Sequence, residues 1–427
     1  MNKEIPEVNV GIVSAQEVLF CLHGPYRVEG RVVVGDREVS FEQGRIRWEG
    51  QTYDSLLFEP LHAHSHCELY DVVIGRDFHW QRREDQLFGG KMLFIVEGDG
   101  ITAVNRVPVE DYLVSVISSE MSARASLELL KAHAVISRSW VLARLEKQEE
   151  TEPAGLVETD EERIRWYGRS EHTLYDVCAD DHCQRYQGIT RASTPQVAQA
   201  VEETRGQVLA YAGRLCDTRF SKCCGGAMEE FPTCWEDTDH PYLRRRRDSA
   251  DTALPDLTNE CEAERWIRTR PDSYCHTTEA GILQQVLNQY DQETPDFYRW
   301  QVDYTRDELS ALVRERSGID FGEIQALEPV QRGVSGRLVR LRIVGSRRTM
   351  TIGKELEIRR TLSPSHLYSS AFVVEETADG FRLSGAGWGH GVGLCQIGAA
   401  VMSERGFRYE AILQHYYPGS ELEKRYE

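Results

Sequence analysis

At 427 residues the chain is too long for one compact core, which predicts two or three subdomains or lobes. Hydrophobic residues make up 41% and charged residues 28%, with no apolar run near the ~20 residues of a membrane-spanning helix, so a soluble globular protein is expected. Asp and Glu outnumber Lys and Arg by 69 to 50, which argues against nucleic acid and against anionic membrane surfaces, since both reward a positive field, and leaves the short Arg244 to Arg247 run as a solvated loop.

The N-terminus, Met1 to Pro6, is polar, and the apolar patch Val18 to Leu22 is too short for a signal-peptide core, so no export signal is visible. Residues 7 to about 105 read as strands: Val8, Val10 and Ile12 alternate with polar neighbours, and Val32 to Val34, Leu56 to Phe58, Val72 to Ile74 and Met92 to Val96 are short apolar runs. The period then changes. Pro108 can open a helix with Leu113, Val116 and Ile117 on its apolar face, and Ser122 can cap a second one carrying Leu127, Leu130, Ala134, Val141 and Leu145. Glu120 falls in the elbow between them.

Glu146 to Arg169 is strongly acidic and reads as a solvated connection or insertion. A second mixed region begins near Thr190. Thr305 and Glu308 have capping-box spacing for a helix over 307–316 ended by Gly318, and Val334 to Gly336 reads as a hairpin turn between two alternating runs. Eleven cysteines leave at least one unpaired, and their clustering looks more like metal binding than a disulfide framework.

Two blocks carry the chemistry. The first is Glu110-Asp111-Tyr112-Leu113, then Ser119-Glu120-Met121, then Lys131-Ala132-His133-Ala134-Val135 with Arg138. The second is Gly385 to Ala399, containing Trp388-Gly389-His390-Gly391, followed by His415-Tyr416-Tyr417-Pro418-Gly419. Phe220 to Gly226 and Pro241-Tyr242-Leu243 lie between them. On these motifs, from about Val8 to Tyr417, the chain resembles the stage II sporulation protein D and amidase-enhancer family of peptidoglycan lytic transglycosylases.

The resemblance implies that Glu120 is the catalytic acid. Hydrolytic glycosidases use two carboxylates. A lytic transglycosylase needs one, because the 6-hydroxyl of the sugar is the nucleophile and closes a 1,6-anhydro ring on N-acetylmuramic acid. Met121 and Ile117 can supply the apolar surround that such an acid needs. The competing reading makes Glu120 a solvated helix-end charge. Glu110 and Asp111, in a first helical turn, are explained by the helix dipole without catalysis.

Lys131 and Arg138 lie two turns apart on one side of the second helix. They can bind the lactyl carboxylate of the glycan, or pair with Glu110, Asp111 or Glu128. Trp388 and His390 can line the cleft by stacking on a pyranose and donating a hydrogen bond, with the glycines letting backbone approach the sugar; a turn that merely packs tightly is the alternative.

His172, Cys178, His182 and Cys183 supply the ligand set of a tetrahedral structural zinc, and some members of the resembled family carry zinc at such a cluster. With all four positions filled there is no open place for water, which argues against a zinc hydrolase. His62, His64, His66 and Cys67 read as a solvated loop. Cys223, Cys224 and Cys234 stand where the family has serine and other residues; small buried thiols, or a disulfide from Cys234 to one of the pair, are the expected accounts.

The resulting expectation is an α+β enzyme of two lobes around a substrate groove, β-rich over 1–105, with catalytic helices, acidic insertion and zinc cluster over 106–250 and a second mixed lobe over 251–427. The implied substrate is the bond between N-acetylmuramic acid and N-acetylglucosamine in peptide-stripped peptidoglycan glycan strands. No cofactor is expected for catalysis, a cell-wall amidase is the expected partner, and an extracytoplasmic location follows from the substrate. Rivals are a non-catalytic amidase activator and a two-carboxylate hydrolase of another carbohydrate.

Overall fold

The computed structural model describes residues 4–75, 81–122, 124–146, 155–167, 172–180, 182–191, 194–286 and 296–427. Parts of the expected acidic connection, 147–154 and 168–169, lie outside them. The architecture is α+β. Alternating apolar residues build the N-terminal sheet: strands Glu7–Ala15, Gly100–Pro108, Lys91–Glu97, Ser55–Pro60, Glu17–Val28 and Arg31–Glu42 follow one another across it. Each predicted apolar run falls in a strand, and Val18 to Leu22 lies in another, with Val18, Phe20 and Leu22 on the buried face.

Nine helices occur among the described residues: α1 (Val109–Glu120), α2 (Leu127–Glu146), α3 (Pro195–Glu203), α4 (Glu260–Arg268), α5 (Ala280–Val286), α6 (Arg306–Ser317), α7 (Glu355–Thr361), α8 (Gln396–Glu404) and α9 (Tyr409–Tyr416). Strand Gly100–Pro108 runs directly into α1, and Pro108 is its N-cap. α2 is buried nearly all round, as a helix with apolar residues on every side must be. It packs within the N-terminal core, together with α8 and α9.

A second core gathers Trp300, Leu309, Val313, Leu341, Ile352, Phe372 and Leu383. It is built from α6, α7 and two sheets, strands Ile324–Arg332, Leu338–Gly345 and Thr349–Gly353 forming the larger. Thr305 and Glu308 make the capping box of α6, and Gly318 closes that helix at φ +72°. Val334 to Gly336 lie in the hairpin turn.

The packing divides the chain differently from boundaries at 105 and 250. Residues from Val392 to Tyr426 return to the N-terminal core, because α8 and α9 bury Ile397, Val401, Ile412 and Leu413 there. The acidic segment is also more than a solvated insertion. Its strands Leu156–Glu158 and Glu162–Arg165 pair as a hairpin, and the latter runs parallel to Thr349–Gly353 as part of the second lobe's sheet.

Candidate active site

Glu120 is the last residue of α1, where the helix ends because Met121 turns extended while its N–H still bonds to Ile117 O. The elbow is not capped by Ser122. α5 holds it instead: Ser122 N–H donates to Gln285 O at 3.0 Å, and Ser126 N–H to Gln285 Oε1 at 3.0 Å. Ser126 Oγ then accepts from Leu129 N–H at 3.3 Å, so the cap lies four residues beyond Ser122.

Met121 and Ile117 are buried beneath the elbow, and the half-buried Glu120 carboxylate accepts the Arg185 N–H at 3.3 Å. Negative charge at a helix C-terminus is disfavoured by the macrodipole. Glu120 therefore has no capping role to explain it.

Glu120 lines a cleft of about 1280 Å³ together with Trp388, Gly389 and His390. Among the described lining residues the carboxylates are Glu120 and Asp180, and Asp180 lies in the Cys/His loop. The walls are otherwise rich in aromatics, including Trp140, Tyr167, Trp235 and Tyr368, and in cations, including Arg144, Arg219 and Arg360. The guanidiniums of Arg165 and Arg360 lie 4.7 and 5.1 Å from the Tyr167 ring centre, and Arg219 lies 4.2 Å over Trp235. In a chain of net charge −19 this local cationic lining is the reverse of the bulk.

Trp388 stacks on Phe297 at 4.6 Å and meets Tyr368 edge-on at 4.9 Å, leaving the indole half-buried. His390 Nδ1 accepts the Val392 N–H at 3.0 Å. Burial, followed by the charges of Arg219, Arg337 and Arg359, holds its imidazole well below the ordinary range, so it is neutral at physiological pH. The loop needs its glycines: Gly389 and Gly391 adopt φ +94° and +75°, and a Cβ on Gly391 would lie 2.4 Å from the Arg337 guanidinium.

Arg337, fully buried, is the brace that sequence reasoning missed. Its Nε and Nη2 donate to Gly389 O at 3.1 and 3.0 Å, and Nη1 to Cys224 O at 3.3 Å. Only its place just after the hairpin turn marked it in the sequence. Arg185 was equally invisible, since it acts on Glu120 through its backbone.

Lys131 and Arg138 lie away from the cleft. Arg138 is wholly buried and grips Glu110 through two bonds, Nε to Oε1 at 2.9 Å and Nη2 to Oε2 at 2.7 Å, while also donating to Gln207 O and Val201 O. Glu110 Oε1 takes further bonds from Tyr426 OH at 2.6 Å and Gly206 N–H at 3.3 Å. Lys131 pairs with Glu203 at 2.6 Å and Glu128 at 3.2 Å. Both expected substrate ligands are thus ion-paired scaffold residues, because a cation on a buried helix face must find a carboxylate.

His172, Cys178, His182 and Cys183 do converge, on the cleft wall beside Arg185. Their ligand atoms all lie within 4.8 Å of one another. His182 Nδ1 is 3.2 Å from His172 Nε2, 3.4 Å from Cys183 Sγ and 3.9 Å from Cys178 Sγ. Zinc bonds of about 2.0 Å to nitrogen and 2.3 Å to sulfur give a tetrahedron with edges of about 3.3 to 3.8 Å, so the spacing of the four ligand atoms suits a structural zinc. His66 begins strand His66–Ile74 and stacks on His23 rather than lying in a loop, whereas His62 and His64 are exposed in the preceding turn. None of the eleven cysteines forms a disulfide; Cys234 packs its thiol against His390 O at 3.8 Å.

A family model described as "Stage II sporulation protein" matches residues 97–211, which include α1, the elbow, α2 and the Cys/His loop. A second, described as a domain of unknown function, matches 229–393, including Arg337 and the Trp388 loop. A protein of Bacillus subtilis (strain 168) named Amidase enhancer is 27% identical over 325 residues, which are 73% of this chain and 40% of that protein. Stage II sporulation protein D of Bacillus amyloliquefaciens is 24% identical over 322 residues, 75% of each chain. An uncharacterized protein of Brachyspira hyodysenteriae (strain ATCC 49526 / WA1) is 26% identical over 333 residues, 78% of this chain and 71% of that protein. Over about three quarters of its length the chain is similar to proteins named Stage II sporulation protein D and Amidase enhancer.

Proposed function

We propose that the protein is a peptidoglycan lytic transglycosylase, a carbon–oxygen lyase that cuts the glycan between N-acetylmuramic acid and N-acetylglucosamine and leaves 1,6-anhydro ends. The observation that carries this reading is Glu120 itself: a carboxylate at the unfavourable end of α1, facing a large cleft whose aromatic faces suit pyranose rings and whose cations suit a lactyl carboxylate.

Glu120 in its acid form protonates the glycosidic oxygen as the bond from C1 to that oxygen breaks. The resulting carboxylate accepts the proton of the 6-hydroxyl as O6 bonds to C1, which returns Glu120 to its starting state. The Arg185 N–H steadies the carboxylate between the two steps. Trp388 serves as a stacking platform, and neutral His390 shapes the wall without transferring a proton. Zinc at His172, Cys178, His182 and Cys183 would fix the loop that carries Arg185, and supplies no step of the reaction. The preferred strands are those already stripped of peptides, and the location that follows is outside the cytoplasmic membrane. Among the described residues no helix is long and apolar enough to cross a membrane.

The test is incubation with peptide-free glycan strands and mass spectrometry of the ends. Anhydro-muramyl termini are the expected product, whereas reducing ends would select a hydrolase. The relative named Amidase enhancer supports a second reading, activation of a cell-wall amidase without cleavage. That reading requires amidase stimulation to survive intact in Glu120→Gln.

A further inference from the structure

A second group of metal-ligand side chains lies behind the Trp388 loop, entirely inside the protein. Cys224, Asp248, Cys275 and Cys395 are each no more than 3% exposed, and their ligand atoms all fall within 4.8 Å of one another. Cys224 Sγ and Cys275 Sγ are 3.6 Å apart. That is far beyond a disulfide bond of about 2.05 Å, yet close to the sulfur–sulfur edge of about 3.8 Å in a zinc–thiolate tetrahedron.

The surroundings are those of an anionic centre. Cys395 is the N-cap of the nine-residue α8, where the helix dipole favours thiolate, and its Sγ accepts the Cys224 N–H at 3.2 Å. Asp248 is wholly buried, and among the described residues no Lys or Arg pairs with it. One carboxylate oxygen accepts Cys275 N–H at 3.0 Å and the other Tyr416 OH at 2.8 Å, with His415 Nε2 3.5 Å from the latter oxygen. These contacts orient the carboxylate, as outer partners of a metal ligand do.

A complementary positive charge lies nearby. Arg299, 8% exposed, donates to the carbonyls of Thr269, Trp266, Gly225 and Tyr298, and no carboxylate pairs with it among the described residues. A buried carboxylate whose ionisable neighbour is an imidazole, and a buried guanidinium that meets only carbonyls, are costly. One divalent cation held by three thiolates and Asp248 satisfies the carboxylate directly, and the residual negative charge of such a centre offsets Arg299.

We propose that Cys224, Asp248, Cys275 and Cys395 bind a second structural zinc ion. Soft sulfur ligands in a four-coordinate arrangement select zinc over magnesium or calcium. The ion ties four segments, with Cys275 and Cys395 lying 51 and 171 residues from Cys224 in sequence and Asp248 between Cys224 and Cys275. One of them backs the cleft wall: Cys223 pairs through its backbone with Trp388, at 3.0 and 2.7 Å. The site therefore holds the Trp388 loop from behind and takes no part in chemistry.

The experiment uses the full chain carrying Cys178→Ser and Cys183→Ser, which clears the cluster on the cleft wall. Purified without chelator, this variant should retain one zinc per chain, with X-ray absorption giving three sulfurs at about 2.3 Å and one oxygen at about 2.0 Å. No bound zinc, four sulfur ligands, or a Cys224–Cys275 disulfide in a non-reduced digest would each overturn the assignment. Should that variant fail to fold, alkylation of the wild type with and without chelator decides: Cys224, Cys275 and Cys395 should become labelled only after zinc is stripped. Labelling that chelator leaves unchanged would overturn the proposal.

Discussion

Replacing Arg138 by Met separates scaffold from substrate binding at the one position where the sequence left both open. The guanidinium makes two bonds to Glu110 and two to backbone carbonyls, and it is fully buried. Removing it leaves the Glu110 carboxylate, also buried, with only Tyr426 OH and Gly206 N–H. Loss of one partner of such a pair costs about 3–5 kcal/mol, whereas replacing both by apolar groups is close to neutral. Arg138→Met should therefore lower the free energy of the first urea transition by about 3–5 kcal/mol, and Glu110→Leu with Arg138→Met should recover most of it. Glycan binding by the fraction still folded should be unchanged. A variant with wild-type stability and weakened glycan binding would refute the reasoning.

Three further outcomes follow from the geometry. His133 is buried between Ser137 Oγ and the Gln396 amide, each at 3.2 Å, and its imidazole is pushed down to about 3 by burial first and the Lys222 charge second. Its contribution is thus present above an unfolded value of about 6.5 and lost as pH falls towards 3; at pH 5 the loss is about 2 kcal/mol, which urea titrations of His133→Gln beside wild type should show as a flatter profile between pH 7 and 5. Arg337→Lys keeps the charge but loses the planar fork on Gly389 O, so retention on peptide-free glycan should weaken by roughly tenfold while circular dichroism stays native; unchanged retention would contradict its bracing role. Cys178→Ser should remove zinc from the cleft-wall cluster, read by elemental analysis as a fall of one ion per chain relative to wild type; an equal metal content would exclude that cluster as a site.

What was legible in the sequence was what neighbours in the chain decide. Alternation placed the N-terminal strands, and the Thr305 and Glu308 spacing placed the start of α6, because a capping box closes within four residues. The ends of the Cys/His cluster are only eleven positions apart, so their convergence could be foreseen. The start of α2 could not, since Gln285, more than 150 residues away, holds the elbow extended past Ser122. Composition made Glu146 to Arg169 look solvated, yet Arg163 and Ile164 find backbone partners at Ile352 and Gly353. Arg138 looked like a ligand because nothing local reveals that α3 and the C-terminal Tyr426 close over it. Cys224, Cys275 and Cys395 are too far apart in sequence for any spacing rule to join them.

The central claim is that one carboxyl group performs both proton transfers. Mass spectrometry of peptide-free glycan strands after incubation with wild type and with Glu120→Gln tests it most directly. The account predicts anhydro-muramyl ends from the wild type and a loss of at least about a hundredfold in Glu120→Gln, within the range ascribed to general acid–base catalysis. Anhydro ends at an undiminished rate from Glu120→Gln, or none from the wild type, would contradict it.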